Sequence, residues 1–168
     1  RGNYQLRWFT PTTEVPICGH ATLAAGAMLL SEIDTSLEVV VFDTHAGALI
    51  VRATPEGYTL DLPRKQRTPW TPDDNVSEAL GGVELYDAFI GEYANVVLES
   101  ETALREMKPD IAAINRVIRG PRQGMLVVSA PADEGQPYDF VQRFFAPSAG
   151  VDEDPVTGSA FADAAPYW

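Results

Sequence analysis

Apolar residues recur in two rhythms along this chain, and each change of rhythm marks an expected element. From Tyr4 to Phe9 (YQLRWF) apolar and polar positions alternate, which predicts a strand running into the proline-containing turn TPTTEVP. From Gly19 the apolar residues Ala21, Ala24, Ala25, Met28 and Leu29 return at helical spacing, so residues 20–32 are expected to form a helix with one buried face. Its small residues suit close packing inside other structure. Gly26, costing roughly 1 kcal/mol against alanine in a helix, marks a point of close approach.

The stretches LEVVVFDT (37–44), ALIVRAT (48–54) and YTLDL (58–62) read as successive strands. HAG and PEG turn between them, which predicts an antiparallel meander. PRKQRTPWTPDDN (63–75) interrupts the pattern with prolines and basic residues and is the expected linker. Asn75 and Glu78 read as a capping pair for a short helix beginning near Val76. YANVVLES is a further strand, and ETALREM and DIAAINRVI are short helices, the second opening at Asp110 behind Pro109. GMLVVSAP and YDFVQRFF complete the set as strands. The fold class is α+β, with mostly antiparallel strands and few helices.

Composition narrows the function by exclusion. Acidic residues outnumber basic ones 24 to 12, and the formal charge of −12 repels phosphate backbones, so no nucleic-acid partner is expected. A small anion would need local dipoles or a few basic groups to overrule that field. One cysteine excludes an internal disulfide and a cysteine-rich zinc site, and fits a reducing cytoplasmic setting. The longest apolar run, LAAGAMLL, is too short to span a bilayer, so no membrane partner is expected. GVELYDAFIGEY carries neither a phosphate-loop nor a dinucleotide fingerprint, and no cofactor is expected. His20, His45 and Cys18 follow no metal-ligand spacing, so no metal is expected either.

An internal repeat carries the chemistry. LRWFTPTTEVPICGHATLAA lies against QRFFAPSAGVDEDPVTGSAFADAA. Arg7, Trp8, Phe9 and Pro11 match Arg143, Phe144, Phe145 and Pro147. After a three-residue insertion, Pro16, Gly19 and Ala21 match Pro155, Gly158 and Ala160. Two copies of strand, turn, Pro-x-x-Gly-x-Ala and small-residue helix imply two similar halves. The first N–H groups of a helix lack partners and carry partial positive charge, and glycine lets an anion approach them. Two such helix starts facing one cleft would hold a carboxylate or an enolate-like oxygen while a proton leaves carbon.

At these residues the sequence closely resembles the phenazine-biosynthesis isomerase-like (PhzF) family. The carrying motifs are RWFTPTTEVPICGHATLAA and RFFAPSAGVDEDPVTGSA, with AGALIV and LDLP between them. The resemblance implies the diaminopimelate epimerase fold: two pseudo-symmetric halves, here 1–70 and 71–168, each a barrel-like sheet around a central helix. It implies a cofactor-independent isomerase moving a proton on a small carboxylated substrate. The family reaction is isomerisation of trans-2,3-dihydro-3-hydroxyanthranilate, and a homodimer is the implied assembly. Carried over residue by residue, His20 and Asp154 assist catalysis, while Gly19, Gly158 and Ser159 bind substrate. The family's acid/base glutamate, in a SET-like segment before the first motif, has no counterpart. The SET at Ser100–Thr102 lies in the wrong half. The chain is therefore expected to be a piece cut at both ends, inactive as given, with unpaired sheet edges that favour dimerisation. Phe161 stands where family members commonly carry histidine.

Blander readings stand beside these. His20 alone would read as a surface histidine at a helix start, and Asp154 before Pro155 as a turn or capping residue. Asp152 and Glu153 read as solvated turn acids, and His45 is a hairpin residue with no role. Cys18 reads first as a buried, inert thiol. It also occupies the first of the two acid/base positions of the cysteine-based proline racemases and hydroxyproline dehydratases, but Thr157 occupies the second. That thiol-based enzyme is one alternative, and a non-catalytic anion-binding fragment is the other.

Overall fold

The computed structural model describes residues 1–9, 14–15, 17–62, 64 and 66–168, with only the backbone of Val15. Pro11 and Pro16 of the repeat, and Pro63 of the expected linker, lie outside the described residues. The chain divides into two compact units, Arg1–Pro63 and Arg64–Trp168.

In the first unit the expected single strand over 4–9 is two strands in different sheets. Strand β1 (Gly2–Gln5) pairs in parallel with β4 (Val39–Thr44), Gly2 opposite Val40 and Gln5 opposite Asp43. Strand β2 (Trp8–Phe9) pairs instead with β3 (Glu14–Val15), antiparallel. The alternation continues across the break, which is why the pattern alone read as one element. Strand β4 leads through β5 (Gly47–Thr54) to β6 (Gly57–Asp61) in the expected antiparallel meander. Gly47 and Gly57 turn the two hairpins at φ of 98° and 139°, where side-chain-bearing residues are strained. Helix α1 (Gly19–Met28) packs on β5 and β6, and its last turn widens into a π-helical turn at Leu29–Ile33. Trp8, Leu30, Val40, Phe42, Leu49 and Val51 form the core.

The second unit is built on a six-stranded sheet in the order β12–β11–β10–β9–β8–β7. Its first strand, β7 (Thr68–Pro69), falls inside the expected linker and pairs with β8 (Asp87–Ile90). Helix α2 (Asp74–Ala79) starts two residues earlier than expected, behind Asp73, without a side-chain cap, so the Asn75–Glu78 capping pair is not formed. Strand β8 was not foreseen: its residues DAFI fill a stretch read only for cofactor fingerprints. Strand β9 (Ala94–Val97) pairs antiparallel with β8 and parallel with β10 (Leu126–Pro131). Between them, α3 (Glu101–Glu106) and α4 (Ile111–Val117) are capped by Ser100 and Asp110, which accept from Ala103 and Ala113 N–H. Strand β11 (Phe140–Ala146) pairs antiparallel with β10 and with β12 (Val151–Asp154), ahead of helix α5 (Gly158–Ala164). The result is α+β with two larger antiparallel-dominated sheets, the two-stranded β2–β3 ribbon and few helices.

Glu101 shows what the SET segment does. Its buried carboxylate accepts from Asp133 N–H at 3.1 Å, from Arg105 Nε at 2.7 Å and from Tyr138 OH at 3.1 Å. The Asp133 N–H and the Arg105 guanidinium hold it below the usual carboxylate range, against the opposing effect of burial. A carboxylate whose folded pKa is lowered stabilises the fold above its unfolded value of about 4.3, and that stabilisation is lost as pH falls through the folded value. Glu101→Gln should therefore destabilise the protein at pH 7 and match the parent progressively more closely in acid. Urea denaturation at pH 7 and near pH 3 reads this difference; a gap independent of pH would rule it out.

Candidate active site

Each candidate residue sits where a strand passes through a turn into a helix, and the candidates form one cluster in each unit. In the first unit Cys18 is the extended residue before α1, with φ −144° and ψ 98°. Its carbonyl accepts from Thr22 N–H at 3.1 Å and from the Thr22 hydroxyl at 2.7 Å, tying down the first turn. Gly19 opens the helix and His20, exposed to solvent, is its second residue. The Cys18 sulfur lies 3.8 Å from Nδ1 and 3.7 Å from Nε2 of His20. A directed hydrogen bond would favour one ring nitrogen, and the near-equal distances single out neither as the partner of the sulfur. Cys18 itself is half-buried.

In the second unit Thr157 takes the same place before α5, with φ −114° and ψ 97°. Gly158 and Ser159 open that helix as Gly19 and His20 open the first. Asp154 ends β12, and its carboxylate accepts from Val156 N–H at 3.1 Å and from the Thr157 hydroxyl at 2.5 Å. It thus shapes the turn through local bonds of the kind aspartate makes ahead of helices. Ser159 shares a 2.8 Å hydrogen bond with the hydroxyl of Tyr93, whose phenol is pushed above its ordinary pKa by burial. Asp154, Thr157 and Phe161 line a groove of about 680 Å³ with Tyr138, Arg143 and Phe144. Phe161 is 47% exposed and tilts against Phe140 at 5.7 Å. A separate hollow of about 580 Å³, beside Arg67 and Tyr167, contains none of the candidates. Among the described residues no group of three or more His, Cys, Asp or Glu is arranged to hold a metal.

Two features escaped sequence reasoning. Glu153 is exposed, as a solvated acid is, but it lies in a strand and not a turn, and it takes two hydrogen bonds from Arg143, at 2.7 and 2.8 Å. That guanidinium keeps the Glu153 carboxyl below the usual range. The signal was present, since Glu14 and Glu153 both stand five residues before the helix-opening glycine. Asp163 is the second. One turn beyond Ser159, it is 1% exposed and accepts from Glu92 N–H, Tyr93 N–H and Asn95 Nδ2 at 3.1, 2.9 and 3.2 Å. It anchors the segment that carries Tyr93 to Ser159; a lone aspartate in a small-residue helix gave no hint of this.

Comparison with known proteins finds relatives along the whole chain. The family described as "Phenazine biosynthesis-like protein" matches residues 1–84 and 86–168. An uncharacterized isomerase of Pseudomonas aeruginosa is 40% identical over 167 residues, covering 99% of this chain and 61% of that protein. The human phenazine biosynthesis-like domain-containing protein is 34% identical over 177 residues, covering 98% of this chain and 62% of its own. Among solved structures, a PhzF-family protein of Enterococcus faecalis superposes with a TM-score of 0.80 at 37% identity, covering 98% of this chain and 60% of that one. The chain therefore spans about three-fifths of the length of the relatives it matches.

Proposed function

The chain belongs to the phenazine biosynthesis-like family, and from that premise we propose that its residues serve a cofactor-independent isomerase acting on a small carboxylated substrate. The reaction moves a proton: a C–H bond is broken, the electron pair spreads onto the substrate's oxygens, and the proton returns to another carbon or to the other face. The family reaction implied by the resemblance, isomerisation of trans-2,3-dihydro-3-hydroxyanthranilate, has this form. Within the first unit Gly19 opens an anion-receiving helix start and His20 assists the proton's passage; within the second, Gly158 and the Ser159 hydroxyl receive and orient a carboxylate beside Asp154, which assists likewise. The observation that carries this reading is the matched pair of helix starts, with Cys18 and Thr157 in the same extended conformation and His20 and Ser159 next after the glycines. The acid/base glutamate implied by the resemblance has no counterpart in these 168 residues. Binding without turnover is the expected behaviour, because general acid/base catalysis contributes roughly 10²–10⁴-fold.

Benzoate, a small cyclic carboxylate, tests the site. NMR titration of the 168-residue chain should move the amide signals of Gly19, His20, Gly158 and Ser159. Ser159→Ala should weaken binding about tenfold, the worth of one hydrogen bond to a charged group. Saturating benzoate that leaves those four signals unmoved would refute the assignment. The nearness of the Cys18 sulfur to the His20 ring is what favours the thiol-based alternative. Carbon–hydrogen exchange by this chain in D2O, abolished by Cys18→Ser, would decide for it.

A further inference from the structure

Arg7 and Arg143 hold the same position in the repeat, and each is engaged in the same way. Arg7 donates from Nε and Nη2 to the two oxygens of Glu14, at 2.8 Å each. Arg143 donates from Nε and Nη2 to the two oxygens of Glu153, at 2.7 and 2.8 Å. Each guanidinium also lies over the phenylalanine two residues on, 4.9 Å from the Phe9 ring and 5.1 Å from the Phe145 ring. The arginine–glutamate separation is 7 residues in the first unit and 10 in the second, so the three-residue insertion falls wholly between them. An isolated exposed ion pair contributes little. Here the fork geometry, the ring beneath it and the spacing to the following glycine all recur in both units, which chance surface pairing does not explain.

We propose that the Arg7–Phe9–Glu14 and Arg143–Phe145–Glu153 triads are positioning devices that set the backbone of the two helix starts. A bidentate arginine–carboxylate pair fixes both the separation and the roll of the segments it joins, which a lysine could not do. The second unit shows why a side-chain clip is needed. Between Phe144–Asp154 and Ala146–Val151 the register slips, one residue of β11 facing two of β12. Backbone pairing is broken at that bulge, so it cannot alone aim the residues that follow. Glu153 lies beside the bulge and next to Asp154, and Arg143 braces it by donating from Nη1 to the carbonyls of Leu104 and Met107 at 3.3 and 3.1 Å. The inference rests on the functional reading above for the importance of Asp154 and Ser159, but its geometry can be tested separately.

Amide hydrogen exchange on the 168-residue chain provides that test, with Glu153→Gln and Arg143→Lys as variants. Both should speed exchange at Val156 and Ala160 about tenfold while leaving Val96 and Val128 in the central strands unchanged, a local and not a global opening. Lysine keeps the charge and loses the fork, so it should behave like the glutamine variant. Glu14→Gln should act likewise on Thr22, supplying a second test should either of the others fail to fold. Benzoate affinity should fall in parallel. Unchanged exchange at Val156 and Ala160, or equal acceleration at Val96 and Val128, would overturn the proposal. If the parent chain does not bind benzoate, the functional reading fails while the exchange result still decides the clip.

Discussion

Gly26→Ala is expected to lower stability by about 2 kcal/mol, although it places the best helix former inside a helix. An alanine Cβ at this position would lie 2.6 to 2.7 Å from three atoms of the Val51 side chain. Val51 is fully buried, and its β-branched side chain has little freedom to turn away. Overpacking costs typically 1–3 kcal/mol, and three overlapping atoms place this case near the top, while helix propensity returns about 1 kcal/mol. The steric cost wins. Relief requires α1 to move off β5, and since Gly19 and His20 begin that helix, benzoate binding should weaken together with stability. Urea denaturation measures the loss, and Val51→Ala identifies its cause. The double variant should be more stable than the sum of the single effects predicts. Simple additivity would show that the contact with Val51 is not responsible.

Asp163→Ala should cost more, about 3–4 kcal/mol, because it strands two backbone N–H groups and one amide at once. The Glu92 and Tyr93 N–H groups and Asn95 Nδ2 converge on its carboxylate, and Asn95 Oδ1 is already buried without a partner among the described residues. No slack is left in the network to absorb the loss. Asp163→Asn retains one accepting oxygen and should fall between the parent and the alanine variant. The Tyr93–Ser159 hydrogen bond should loosen in both, because the segment that presents Tyr93 loses its anchor. Denaturant unfolding of the three proteins gives the ranking. A loss below about 1 kcal/mol in the alanine variant would mean that water replaces the carboxylate and that Asp163 is no hub.

The meander of the first unit was legible because three short, largely apolar runs are separated by glycine turns, so that local preference and tertiary pairing agree. Three other places were not. Residues 4–9 alternate without interruption, yet they serve two sheets, because the partner of each part lies far away in sequence. VDED looked like a turn because acids are poor strand formers, but Arg143 and the pairing with β11 override that preference. Thr68–Pro69 looked like linker and is an edge strand, a position in a sheet that tolerates proline. Of the candidate site, the glycine-led helix starts could be read from the repeat. The carboxylates that hold it were harder to see: Glu14 and Glu153 match only when the three-residue insertion falls ahead of them, and the donors to Asp163 lie 68 to 71 residues away.

The triads also bear on ancestry. Features shared by the two units, namely the arginine fork, the phenylalanine beneath it, the glutamate and the glycine that opens the helix, are most simply inherited from a single unit that was later duplicated. Features that differ, such as His20 against Ser159 and Cys18 against Thr157, then arose after the copies diverged. On that history the frame that presents the site is older than the chemistry it presents. Duplication supplied two equivalent settings, and later substitution placed different side chains in them.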